Sequence, residues 1–88
     1  MKQIWKYPIG QLGVNLLEIP VGAQLLTVQT QNNAPQLWAL VDPEAPKELI
    51  KIGVCGTGQP INVHVGIYLG TFQLSGGSLV FHAFTIDE

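Results

Sequence analysis

Gln24-Leu25-Leu26-Thr27-Val28-Gln29-Thr30-Gln31 decides the fold class. Read with period two, QLLTVQTQ places Leu26, Val28 and Thr30 on one face and Leu25, Thr27, Gln29 and Gln31 on the other. Alternation with one polar side is the pattern of a half-buried antiparallel strand. Asn32-Asn33-Ala34-Pro35 follows as a turn, because asparagine tolerates positive φ and hydrogen-bonds its own backbone. Residues 36–41 (QLWALV) are apolar on both faces, which marks a central strand or one covered by a neighbouring subunit.

The same signals continue outward. Residues 3–7 (QIWKY) form a short aromatic strand closed by Pro8 and Gly10, and residues 14–19 (VNLLEI) end at Pro20. Asp42-Pro43-Glu44-Ala45-Pro46 is a loop, since its two prolines cannot sit in a ladder. Residues 48–55 (ELIKIGVC) alternate, with Ile50, Ile52 and Val54 inward and Lys51 outward. Gly56-Thr57-Gly58-Gln59-Pro60 is a second loop, and residues 61–66 carry no clear pattern. The chain closes in a hairpin of 67–74 (IYLGTFQL), the turn Ser75-Gly76-Gly77-Ser78, and 79–86 (LVFHAFTI). Apolar residues nowhere recur at helical spacing over eleven positions; Asp42 capping Pro43 allows a single helical turn near 43–49. The expectation is one domain over 1–88, all-β: a compact antiparallel sandwich or barrel of about seven short strands with at most one short helical turn.

Charge is scarce. Four lysines (Lys2, Lys6, Lys47, Lys51), no arginine and six acids stand in 88 residues, against 47% hydrophobic residues. A folded 9.5 kDa monomer exposes about 5,000 Å², so much of the exterior falls to uncharged and apolar groups, as in a homo-oligomer. Duplex binding needs several Lys or Arg at phosphate spacing, which excludes a nucleic acid polymer as the expected partner. One cysteine, Cys55, rules out an intrachain disulfide. Residues 1–9 lack the apolar core of a secretory signal, and no stretch reaches the roughly 20 apolar residues that span a bilayer. A cytoplasmic protein without a membrane partner is expected.

Catalytic and metal patterns are missing. His64, His82 and Cys55 show no metal-ligand spacing, so no metal or cofactor is expected. His82, between Phe81 and Ala83, reads as a packed, hydrogen-bonded side chain on the face of Val80, Phe84 and Ile86. Phe72, Phe81 and Phe84 read as core, and Cys55 as a small buried residue. Asp42, Glu44 and Glu48 lie on or beside a proline-rich loop, as a solvated acidic turn does. No enzyme is expected.

The glycine loop stands apart. In Gly56-Thr57-Gly58-Gln59-Pro60, two glycines around a threonine let successive N–H groups converge on an anion, although no helix or Lys-Ser/Thr ending follows and a plain connection is the simpler reading. Lys47 and Lys51 lead into it. The expected ligand site therefore places Lys47, Lys51, Thr57, Gly58 and Gln59 on phosphate or ribose, with Trp5, Trp38 or Tyr68 stacking on a base; for each aromatic, core or interface packing is the ordinary alternative.

Ile4-Trp5-Lys6-Tyr7-Pro8, Leu37-Trp38-Ala39-Leu40-Val41-Asp42-Pro43, Gly56-Thr57-Gly58-Gln59-Pro60, Tyr68-Leu69-Gly70-Thr71-Phe72-Gln73 and Leu79-Val80-Phe81-His82-Ala83-Phe84 occur in that order. Together they resemble a family of small uncharacterised tailed-phage and prophage proteins that begin with a WKYP-like segment and end in an FHxF-like one. The resemblance covers nearly the whole chain. It implies phage origin and a bacterial cytoplasm but no activity, since the family carries a domain of unknown function. By analogy with other small phage proteins, the expected function is non-enzymatic counter-defence: a homo-oligomeric sponge holding a small nucleotide-derived immune signal, a cyclic nucleotide or ADP-ribose derivative, at a subunit interface. The alternative is a protein–protein inhibitor or accessory subunit. A hydrolase of such signals using Asp42, Glu44 or His64 is a third class.

Overall fold

The computed structural model describes residues 1–10 and 12–87. Seven strands run in chain order: β1 (Gln3–Pro8), β2 (Gly13–Pro20), β3 (Gln24–Gln31), β4 (Ala34–Val41), β5 (Lys47–Gly56), β6 (Val65–Leu74) and β7 (Leu79–Ile86). A 3-10 turn at Ser75–Gly77 separates the last two. All pairings are antiparallel. They build a three-stranded sheet in the order β1-β4-β3 and a four-stranded sheet in the order β2-β5-β7-β6. The chain is an all-β sandwich, as its alternation requires.

Local chemistry sets the details. Asn32 and Asn33 both take positive φ (53° and 61°), and Gln31 pairs directly with Ala34. This two-residue turn matches strand twist when both central residues are left-handed. It draws Ala34 and Pro35, expected in the turn, into β4. The helical turn near 43–49 does not form. Asp42 does accept the Glu44 N–H at Oδ1 (3.1 Å) and the Ala45 N–H at its carbonyl (3.1 Å). Pro46 then keeps Ala45 out of the helical region, and β5 starts at Lys47.

The deciding strand carries one surprise. The β3–β4 register steps from Leu25 opposite Ala39 to Thr27 opposite Trp38, leaving Leu26 as the extra residue of a bulge. Leu25 and Val28 therefore share the inward face, three residues apart, and Leu26 is exposed. Strict alternation had paired Leu26 with Val28; the bulge reverses that parity for everything before it.

The inner faces meet in one core. Val28, Leu37, Ala39 and Val41 from one sheet pack against Ile19, Ile52, Val54, Phe72 and Ala83 from the other. Burying a side chain such as Leu37 or Ile52 completely contributes about 1.5–3 kcal/mol. The rings of Phe72 and Phe81 lie 5.6 Å apart within this layer. Edge strands β3 and β6 close one corner. Thr30 Oγ1 donates to the Gln73 carbonyl (2.8 Å), and Asn33 Oδ1 accepts the Ser75 N–H (2.9 Å). Gly70 takes φ +151°, and a Cβ there would stand 3.1 Å from Val28 Cγ2, so only glycine lets the two strands approach.

Tyr7 enters the same layer from β1, pairing with Leu37. Its hydroxyl is buried without a hydrogen-bond partner among the described residues, and burial raises its pKa above the usual 10. An unpaired buried hydroxyl costs free energy that an isosteric apolar group avoids. Tyr7→Phe is expected to stabilise the protein by about 1 kcal/mol in urea melts. The raised folded-state value means Tyr7 withholds no stability below pH 10, and stability falls as pH rises through it. The Phe variant should lose less of its melting temperature above pH 10 than the parent.

Candidate functional site

The candidate site lies on the outer face of the four-stranded sheet, where Gly53 pairs with Phe84 and Cys55 with His82. Gly53 has no side chain, and the Phe84 ring occupies the vacated space: a Cβ at Gly53 would overlap the ring. Phe84 is only 3% exposed yet stands outside the core cluster. It was expected in the core; it is buried on the opposite side of the sheet because its parity follows His82, not Phe81 and Ala83. The segment 57–64 crosses over it.

That crossing is pinned at both ends. Residues 56–59 form a tight turn, with Gly58 at φ +84° as the third position of a type II turn demands. The Gln59 N–H donates to the Gly56 carbonyl (3.1 Å), and Gln59 Oε1 accepts the Gly56 N–H (2.7 Å). The Thr57 N–H donates to the Val80 carbonyl (3.3 Å). Asp87 N–H reaches the His64 carbonyl (2.8 Å) at the far end. Three of the loop's amides are thus spent inside the protein. The expected phosphate cradle is not available; the loop is a wall.

A polar cluster faces this wall. His82 Nε2 lies 2.6 Å from Thr57 Oγ1, and Nδ1 lies 2.7 Å from Tyr68 Oη and 3.1 Å from Thr71 Oγ1. Tyr68 Oη and Thr71 Oγ1 also meet at 2.5 Å. Pairing between β6 and β7 shifts on both sides of Tyr68, and these irregularities turn its ring to the outer face beside His82, with centroids 6.1 Å apart. Both imidazole nitrogens are engaged by neutral hydroxyls. A Thr–His pair at this spacing resembles a nucleophile with its base, but the third member is a phenol rather than a carboxylate that would stabilise an imidazolium. The amide of Thr57, which would serve an oxyanion, is committed to Val80.

Two recesses lie along the crossing, one of them reaching the cluster. One, of about 300 Å³, is walled by Leu12, Val14, Gly53, Pro60 and Ile86. The other, of about 220 Å³, contains Thr57, Gly58, Val65, Tyr68 and His82. They share Cys55, Gln59, Ile61 and Phe84, so the 57–64 crossing divides one apolar trough into two.

Of the expected site residues, Thr57, Gly58, Gln59 and Tyr68 come together here. The others do not join them. Lys51 shares the outer face of β5 with Gly53 and Cys55 but stands four residues from Cys55, about 13 Å by strand rise. Lys47 lies at the opposite end of β5, beside Pro20. Trp5 packs half-buried against the core, and Trp38 points out of the other sheet beneath Lys6, whose Nζ is 5.7 Å from the ring centre. Both tryptophans sit on β1 and β4, strands of the three-stranded sheet. Thr71, Phe84 and Ile61 escaped sequence reading. The one usable signal was Gly53 amid an apolar strand, a gap awaiting a ring. Among the described residues, no three His, Cys, Asp or Glu side chains group to hold a metal ion, and no helix is long and apolar enough to cross a membrane.

The chain belongs to the family described as Domain of unknown function (DUF7352), whose model matches residues 1–88. No curated protein and no solved structure matches it.

The Phe84–Gly53 contact makes a specific demand. Gly53→Ala is expected to cost about 1–3 kcal/mol through overpacking and to push the Phe84 ring towards the crossing, filling the trough. Gly10→Ala, where a Cβ meets nothing within 4 Å, serves as the neutral control. Thermal melts compare the two, and side-chain NMR reports the ring.

Proposed function

We propose that this chain, from a family without a defined activity, is a non-enzymatic binding protein that sequesters a small nucleotide-derived molecule on the outer face of its four-stranded sheet. One observation carries the reading: of two adjoining apolar recesses, the smaller is lined by Thr57, Tyr68 and His82 of the polar cluster, and the larger continues from it across Cys55, Gln59, Ile61 and Phe84. Mostly apolar walls with a few convergent polar groups are the usual make-up of a small-molecule site. A base lies in the trough against Tyr68 and Phe84, and the Gln59 side-chain Nε2 and the Thr57 hydroxyl hydrogen-bond its edge. The phosphates lie outside the trough, towards Lys51 on the same face. The glycine turn serves as a wall in this arrangement and takes no phosphate.

The resemblance to tailed-phage and prophage proteins supports a setting: counter-defence in the cytoplasm of an infected bacterium, where sequestration needs affinity without turnover. A second reading is a protein–protein inhibitor or accessory subunit. The exposure of Leu12, Val14, Leu16, Ile61 and Ile67, each between 47% and 70%, favours it.

Thermal denaturation against a panel of cyclic nucleotides and ADP-ribose derivatives separates the two. Ligand at a hundred times its Kd stabilises by about 2.7 kcal/mol, on the order of 10–20 °C for a domain of this size. One compound is expected to produce that shift, to be released intact on heating, and to lose its effect with Tyr68→Ala or Gln59→Ala. A folded protein that shifts with nothing in the panel overturns the proposal. Stoichiometric capture of one protein without small-molecule binding establishes the second reading instead.

A further inference from the structure

The sandwich protects its strand edges unequally. An open edge presents unpaired N–H and C=O groups and is ordinarily blunted by lysine, proline or cover. β1 carries Lys6 in mid-strand and Pro8 at its end. β3 and β6 cover each other at the corner through Thr30, Gln73, Asn33 and Ser75. β2 ends the order β2-β5-β7-β6 and, among the described residues, has none of these devices. Its eight residues include one charge, Glu18, and no proline before Pro20. Val14 and Leu16 point outward from it, 48% and 60% exposed.

We propose that β2 of one copy pairs antiparallel with β2 of a second copy about a two-fold axis, fusing two four-stranded sheets into one of eight strands. The sequence of β2 is complementary to itself in this arrangement. Residues opposite one another across such an axis share a face, and the register that sets Val14 against Leu16 of the partner subunit produces that apolar pair twice. The same register places Glu18 opposite Leu12 of the partner subunit. The two Glu18 carboxylates then sit about 20 Å apart along the strands, beyond the roughly 8 Å Debye length. The scarcity of charge over the rest of the chain leaves little to repel a second copy.

The pairing also concerns the ligand site, a half of the proposal that rests on the binding function above. Leu12, Gly13 and Val14 wall the larger recess. Dimerisation brings a recess from each copy to either side of the axis, and Leu16 of the partner subunit extends the β2 wall of each. The site becomes a feature of the subunit interface.

Light scattering over a dilution series is expected to give about twice the 9.5 kDa chain mass. The double variant Val14→Lys, Leu16→Lys should run as a monomer with an unchanged far-UV spectrum, since both side chains are exposed. With Cys55→Ser as background, Val14→Cys and Leu16→Cys chains should cross-link when mixed and oxidised, and neither alone. A monomeric parent overturns the proposal. So does a dimer that survives both lysines, or a mixture that fails to cross-link. These measurements use no ligand, so their failure is distinct from failure of the binding reading, which the nucleotide panel decides alone.

Discussion

The β5–β7 pair must bury side chains on both faces of its sheet, and Gly53 is what permits it. Ile52, Val54 and Ala83 turn inward and close the core. Phe84 turns outward onto the bare backbone of Gly53, making a second, smaller apolar layer that the 57–64 crossing roofs. A side chain at position 53 would displace the ring and leave the crossing without a floor. The trough, its division into two recesses and the position of Thr57 beside His82 all follow from that vacancy. A fold-level constraint and the candidate site are here one contact.

The legible part of this chain was its alternation. Period two placed Ile50, Ile52 and Val54 inward, and apolar runs between turn residues located all seven strands; QLWALV, apolar on both faces and so either central or covered by a neighbouring subunit, is the central strand β4. What escaped was decided by pairing between distant segments. The bulge at Leu26 inserts a residue whose type says nothing about it; only the count of partners on β4 reveals the shift. The glycine turn left an anion nest open beside the simpler reading of a plain connection, because its donors were visible and their acceptor was not. Val80 lies more than twenty residues away and takes the Thr57 amide. Trp5 and Trp38 were grouped with Tyr68 by residue type, whereas the order β1-β4-β3 puts them on the other sheet. His82 was read rightly as a hydrogen-bonded side chain, though not the three hydroxyls that meet it.

Scarce charge has a local meaning as well as a global one. The lysine that the three-stranded sheet can spend stands on β1, over Trp38 and hydrogen-bonded to Gln31 (2.5 Å). The trough walls and the β2 edge carry almost none. The charges of the four-stranded sheet, Glu18 on β2 and Lys47, Glu48 and Lys51 on β5, gather at the end of those strands away from the trough, which is left apolar.

The strand order also dictates when each part of the fold can form. β3 with β4, and β6 with β7, join across short turns and can zip as soon as both halves exist. β1 waits for β4, and β2 for β5, each crossing some thirty intervening residues. Such long loops must be closed before their contacts give any return, so these pairings come late. During synthesis from the N-terminus, the first two strands made are therefore among the last to be seated. Trp5, Leu16 and Leu17 wait longest in the open, and the apolar β2 edge is the surface on which a nascent chain of this protein is most vulnerable to misassociation.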